Sequence, residues 1–175
     1  MKKIYTIGHS THTLEEFTEM LQSFEIQHLV DVRGLPGSNK YPQFNKENLE
    51  VALPEVGIAY THLPLLGGRR KVHKDSKNTR WHNASFRAYA DYMETDDFEK
   101  GIAQLIAIAE KETTAYMCAE ALWWRCHRSM ISDYLKAKCW EVEHIMAIDK
   151  EEPHSYTSPD RIIGDKVVYY DKEVI

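Results

Sequence analysis

Apolar and polar positions along the chain switch between a period of two and a period of about 3.6. Lys2 to Ile7 is short and β-prone, and Gly8 ends it. Thr13 then opens a helix with Glu16 three residues on, the capping-box pattern, and Leu14, Phe17, Leu21 and Phe24 follow at helical spacing. His28-Leu29-Val30-Asp31-Val32-Arg33 predicts an apolar strand with a charged end. Residues 34–45 are rich in Gly, Pro, Ser and Asn and predict a loop; Asn45 is placed to cap a short helix through Leu53. Ile58 to Leu63 predicts a third strand, followed by Gly67-Gly68.

Arg69 to Asn83 follows neither period. Structureless stretches of that length are usually functional or disordered, and we expect residues 69–83 to be a mobile basic loop until an anion binds. Phe86 to Met93 and Phe98 to Glu110 predict helices, the second capped by Thr95 or Asp96. Thr113 to Cys118 predicts a fourth strand, Cys126 or His127 to Lys138 a helix, and Trp140 to Met146 a fifth strand. Residues 161–170 predict a β-hairpin turning at Gly164-Asp165.

The order β-α-β-α-β-α-α-β-α-β plus a C-terminal hairpin predicts one α/β domain over residues 1–175. Its sheet would be mainly parallel, with helices on both faces, in the Rossmann-like manner. The strand order is not encoded in the pattern.

Composition narrows this little. A chain of 175 residues, 43% hydrophobic and 28% charged, supports one packed domain and excludes disorder, collagen and coiled coil over its length. The best apolar run, Ile102 to Ala109, is interrupted by Gln104 and falls far short of the roughly 20 residues of a membrane span. The basic N-terminus lacks the apolar stretch of a signal peptide, and three cysteines do not make a disulfide scaffold. We therefore expect a cytoplasmic protein with reduced thiols and no membrane partner.

Charge is more informative. The net charge is -5, all of it from residues 141–175; the rest is balanced. Acidic proteins are poor default nucleic-acid binders. Against that trend, Arg69 to His82 holds six Lys or Arg against the single Asp75.

In parallel sheets ligands bind beyond the C-terminal strand ends. There lie Gly8-His9-Ser10, Asp31-Val32-Arg33, Leu66-Gly67-Gly68-Arg69-Arg70, Cys118-Ala119-Glu120 and Cys126-His127-Arg128. Cys118 and Cys126 would sit near a helix N-terminus, where backbone N–H groups and nearby cations lower a thiol pKa. A thiolate there, with a histidine as acid or base, is a nucleophile; the plain alternative is a pair of buried, inert cysteines. Cys118, Cys126, His127 and His9 also offer zinc-type ligands, though C-x7-C-H is not a usual zinc spacing. Asp31 and Arg33 share a strand face, as an anion clamp or as a structural ion pair. Gly67-Gly68 before two arginines suits an anion-binding turn, but there is neither a Walker loop nor a GxGxxG. Trp123 and Trp124 cannot both face the core, so one should wall a pocket or an interface.

These motifs, in this order and over nearly the full chain, resemble the bacterial and archaeal family called domain of unknown function 488. Glu143-His144-Ile145 and His154 look like its C-terminal pattern. The resemblance implies a single compact α/β domain and leaves activity and cofactors open.

The residues point to an enzyme or binding protein for an anionic small molecule, phosphate- or nucleotide-like. Cys126 and then Cys118 would be the thiolate, His9 and His127 the acid–base groups, and Glu120 and Asp31 the orienting carboxylates. Arg33, Gly67, Gly68, Arg69 and Arg128 would hold the anion. The alternatives are a nucleic-acid-binding module using residues 69–82, and a Cys/His zinc site. A homodimer through Trp123-Trp124 or the hairpin is a further expectation.

Overall fold

A computed structural model describes residues 2–37 and 39–171. The sheet is built from β1 (Lys3–Gly8), β2 (His28–Asp31), β3 (Ala59–His62), β4 (Thr114–Cys118), β5 (Glu141–Ala147) and β6 (Lys150–Pro153). Their spatial order is β3-β2-β4-β1-β5-β6. The first five are parallel, and β6 runs antiparallel to β5 at the edge. A separate hairpin pairs β7 (Arg161–Ile163) with β8 (Lys166–Val168), and Gly164 in its turn takes φ 64°.

Five helices, α1 (Leu14–Ser23), α2 (Lys46–Glu55), α3 (Ala84–Tyr92), α4 (Asp96–Lys111) and α5 (Arg128–Ala137), cover both faces. Alternation along the strands divides the core. Ile7, Leu29, Ala115 and Met117 pack on Phe17, Met20 and Leu21 of α1 and Leu49 and Leu53 of α2. Ile4, Val30, Tyr116 and Val142 pack on the opposite face, against α3, α4 and α5 through Tyr89, Leu105, Met130 and Leu135. Side-chain caps start two helices as the sequence predicts: Thr13 accepts from Glu16 N–H and Thr95 from Phe98 N–H. Asn83, which the sequence reading did not single out, accepts from Phe86 N–H, whereas the expected cap Asn45 stands at the start of α2 without a side-chain cap hydrogen bond.

The sequence reading ended the main sheet at the fifth strand, and the structure adds β6. Lys-Glu-Glu-Pro has no apolar alternation and low β-propensity. It is a strand because it is an edge, where charge and proline are tolerated.

Topology positions the site. The chain leaves β1 and β2 for the α1/α2 face, and leaves β3 and β4 for the α3–α5 face. Strand β4 lies between β1 and β2, so two topological switch points flank it. The pairings Gly8↔Cys118 and Asp31↔Met117 bring the three strand ends to one level. Crevices open at such points.

Residues 69–83 hold no helix or strand, but the second half is tied down. Asn78 and Ser76 both donate to Asp91 Oδ1 at 2.6 Å, and Arg80 reaches the Pro159 carbonyl and Asp171. Residues 71–75 are exposed. Among the described residues no helix is long and apolar enough to cross a membrane.

Candidate active site

Two adjoining cavities open at the switch points. One, of about 310 Å³, is lined by Cys118, Cys126, His127, Gly68, Arg69 and Phe86. The other, of about 480 Å³, is lined by His9, Ser10, Thr11, Tyr41, Gly37 and Leu122. Arg33, Leu35, Ala119, Glu120 and Arg125 line both and form the shared wall.

Cys126 sits where the chain turns from a single 3-10 turn, Trp123–Arg125, into α5. The Arg128 backbone N–H donates to its sulfur at 3.5 Å, and His127 Nδ1 lies 3.3 Å from it. His127 Nε2 is 2.9 Å from the Val32 carbonyl, which can only accept. That fixes the proton on Nε2 and leaves the Nδ1 lone pair facing Cys126. The ring fits because residue 68 is glycine: a Cβ there would meet His127 Nδ1 at 2.6 Å.

Burial opposes charge on Cys126. The Cys118 thiol, the Arg128 guanidinium and the Arg128 N–H outweigh it, so the Cys126 pKa falls below the ordinary thiol value. Cys118 moves the other way; burial first, and then its interaction with Cys126, push its pKa well up. It stays a thiol and approaches the Glu120 carbonyl at 3.7 Å. The site thus pairs one sulfur poised to ionise with one held neutral.

Arg128 begins α5 and is 1% exposed. Its Nη2 reaches the Ala121 carbonyl at 3.4 Å, while Nε and Nη1 have no partner among the described residues. A buried cation without an anion is costly. Its charge favours the ionised sulfur of Cys126, which therefore serves as its counter-ion.

In the second cavity His9 stacks on Phe44, with centroids 4.4 Å apart, and its Nδ1 lies 2.9 Å from the Ser10 carbonyl. The proton is therefore on Nδ1, and Nε2 keeps the lone pair. Burial lowers the His9 pKa, and Arg33 adds to the effect.

Asp31 is buried and holds Arg33 through Nε and Nη2, at 2.9 and 2.7 Å. Tyr60 donates to the same carboxylate at 2.5 Å, and Arg33 Nη2 also donates to the Phe44 carbonyl. Arg33 is thus fixed at the shared wall, and Asp31 orients it from behind. Glu120 and Arg69 are exposed at the rim. Gly67 faces neither cavity; it permits close approach to Gly34, whose Cα would lie 2.8 Å from an added Cβ.

The structure therefore gathers Cys118, Cys126, His127, Glu120, Arg33, Gly68 and Arg69 around one cavity and sets His9 in the next. Asp31 and Arg128 stand behind the walls. Arg125 lines both cavities as well. A zinc site would need Cys118, Cys126 and histidines to converge. Among the described residues no three His, Cys, Asp or Glu side chains are grouped to hold a metal ion. The basic segment is also partly consumed. Arg70 binds three carbonyls and lies over Tyr92, Lys77 pairs with Glu94, and Arg80 with Asp171.

Sequence reasoning missed a buried polar chain beside the thiols. Thr6 Oγ1 lies 2.5 Å from His144 Nδ1, His144 Nε2 lies 2.9 Å from His154 Nδ1, and His154 Nε2 lies 2.8 Å from Asp133 Oδ1. Asp133 also accepts from Thr157 and Tyr169. Trp123 stacks on His144, while Trp124 is exposed. Burial, then His154 and Arg128, push the His144 pKa down to about 2. The sequence signal was the Glu143-His144-Ile145 and His154 pattern, which carried no indication of their contacts.

Residues 13–135 match the model of a protein family described as Domain of unknown function DUF488. The match spans both cysteines, His127 and Arg128 and ends before His144 and His154. No curated protein and no solved structure matches the chain.

Proposed function

Because the chain belongs to the Domain of unknown function DUF488 family, whose description names no reaction, we propose a function from the site itself. The protein is an enzyme that uses the Cys126 thiolate as nucleophile on a small anionic substrate, phosphate- or nucleotide-like. The observation that carries this reading is the setting of Cys126. Its sulfur receives the first N–H of α5, faces the lone pair of His127 and compensates a buried, otherwise unpaired Arg128. A thiolate so held at a cavity wall is an activated nucleophile.

The other roles follow from position. His127 Nδ1 is the atom that takes the thiol proton. Arg33, already oriented by Asp31, and Arg69 and Arg125 at the rim present cations to an anionic group. A pocket of about 310 Å³ is at the small end of ligand sites, so the reacting portion is small. His9 Nε2, neutral in the adjoining cavity, is the base for a second reactant or for water.

The test is iodoacetamide labelling of the native protein across pH, resolved by mass spectrometry, with and without inorganic phosphate. Cys126 is expected to label with a midpoint below the free-thiol value of about 8.5, faster at pH 6.5 than exposed Cys139, and to be slowed by phosphate. Labelling of Cys126 only above that value refutes the thiolate. Labelling indifferent to phosphate refutes the anionic substrate.

A further inference from the structure

The second thiol of the site has no role in that reading. Cys118 ends β4 and Cys126 precedes α5, with seven residues between them. Both line the same cavity. Both are free and buried, whereas Cys139 is exposed and lies outside that cavity. The connecting residues are mostly exposed and carry only one 3-10 turn, a short and adaptable link between the two cysteines.

We propose that Cys118 and Cys126 form a reversible dithiol–disulfide couple in which a hydroperoxide oxidises Cys126 and Cys118 resolves it. This inference rests on the thiolate reading above. In the first step the Cys126 sulfur attacks the terminal peroxide oxygen, the O–O bond breaks and alkoxide leaves, or hydroxide where the oxidant is hydrogen peroxide. Two electrons pass from sulfur to oxygen, and the product is a sulfenic acid. In the second step the Cys118 sulfur attacks the Cys126 sulfur. The S–S bond forms, the S–O bond breaks, and the departing hydroxide leaves as water with the Cys118 proton. A dithiol reductant returns both thiols by exchange.

The cavity favours this order of events. Cys126 is the sulfur with the helix N–H and the cation, hence the one that reacts first. Cys118 is buried and held in the thiol form, so it does not compete for the peroxide and attacks only the Cys126 sulfenic acid in the same cavity. Closure converts the nucleophile into a form that dithiols can recover, and spares it irreversible oxidation. The disulfide would also remove the anion that compensates Arg128.

The experiment uses the full chain, reduced and then treated with a few equivalents of hydrogen peroxide. Intact mass should fall by two hydrogen atoms and recover with dithiothreitol. Arg125 is the one tryptic site between the two cysteines, so digestion separates them unless they are bridged. A bridged peptide containing Cys118 and Cys126 is the expected product. Cys118→Ala should instead gain two or three oxygens on Cys126, and Cys139→Ala should behave as wild type. Wild-type protein whose Cys126 accumulates oxygen without a bridge, or which links through Cys139 between molecules, overturns the proposal without needing any variant. If Cys126 shows no low-pH iodoacetamide reactivity, the thiolate reading itself has failed. If it shows that reactivity but no bridge, only this inference falls.

Discussion

Arg128 carries a full charge into the interior and satisfies only one of its three guanidinium nitrogens. Nothing in packing requires this; an apolar side chain of similar length would fill the same space. Ion burial without compensation costs several kcal/mol, so the residue is retained against stability. We expect Arg128→Met to fold with stability unchanged or raised by about 1–3 kcal/mol, while Cys126 alkylation at pH 7 slows about tenfold or more. Urea unfolding and pH-resolved labelling check this. Reduced stability with unchanged thiol reactivity would refute the counter-ion role. At this scale the sequence was legible wherever chemistry is local. Cys126, His127 and Arg128 are consecutive, and Asp31 and Arg33 are two apart on one strand, so spacing alone brought them together. Thr6, His144, His154 and Asp133 were not legible, because their contacts span 10 to 138 positions and depend on strand order.

Among the elements, the starts of α1 and α4 were legible because a cap is a short-range device, with side chain and N–H three residues apart. Strand β6 was not, because it is held by its partner rather than by its own residues. The segment before α3 shows the same limit. Composition marks residues 69–83 as a loop, but not which half is held. Asn78 is 2% exposed and shares Asp91 Oδ1 with Ser76, while Asp91 Oδ2 is already without a partner. Removing the amide leaves that buried carboxylate still poorer, at a cost of about 1–3 kcal/mol. Trypsin acting on the native chain should therefore cut after Lys71 or Lys74 before it cuts after Lys77 or Arg80. In Asn78→Ala, Arg80 should become an early site. Equal early cleavage at all four positions in wild-type protein would show the segment to be loose throughout.

At the scale of the whole molecule, the order β3-β2-β4-β1-β5-β6 makes the site and also sets its response to acid. Placing β4 between β1 and β2 draws the strand ends that carry Cys118, His9 and Asp31 to one edge. It also surrounds several histidines with protein. No pattern of apolar positions encodes that order, which depends on how crossovers pack; the common edge of these strand ends was legible from their parallel run, but their adjacency and the burial of the histidines were not. Burial lowers the pKa of His9, His127 and His144, the last to about 2, whereas in the unfolded chain each returns to the ordinary value near 6.5. Below pH 6.5 the unfolded chain binds protons that the folded one refuses, so stability falls as pH falls. His144 contributes up to about 1.4 kcal/mol per pH unit throughout that window, and His9 and His127 act in the same direction. Asp160 and Glu143 have pKa values raised mainly by burial and so act in the opposite direction, but only around the carboxylate range. The histidines thus leave the midpoint of thermal unfolding flat from pH 8 to about 6.5 and make it drop steeply from there towards pH 5. The Cys126 thiolate adds a slope of the same sign that begins at higher pH, because a depressed thiol pKa stabilises fully above the unfolded value of about 8.5 and the benefit fades as pH falls through the folded one. Arg128→Met should remove the thiolate contribution and leave the histidine contribution in place. An unfolding midpoint that does not move between pH 7 and pH 5 would mean that these histidines are protonated within the fold, and the lone pairs assigned to His9 and His127 would be lost with it.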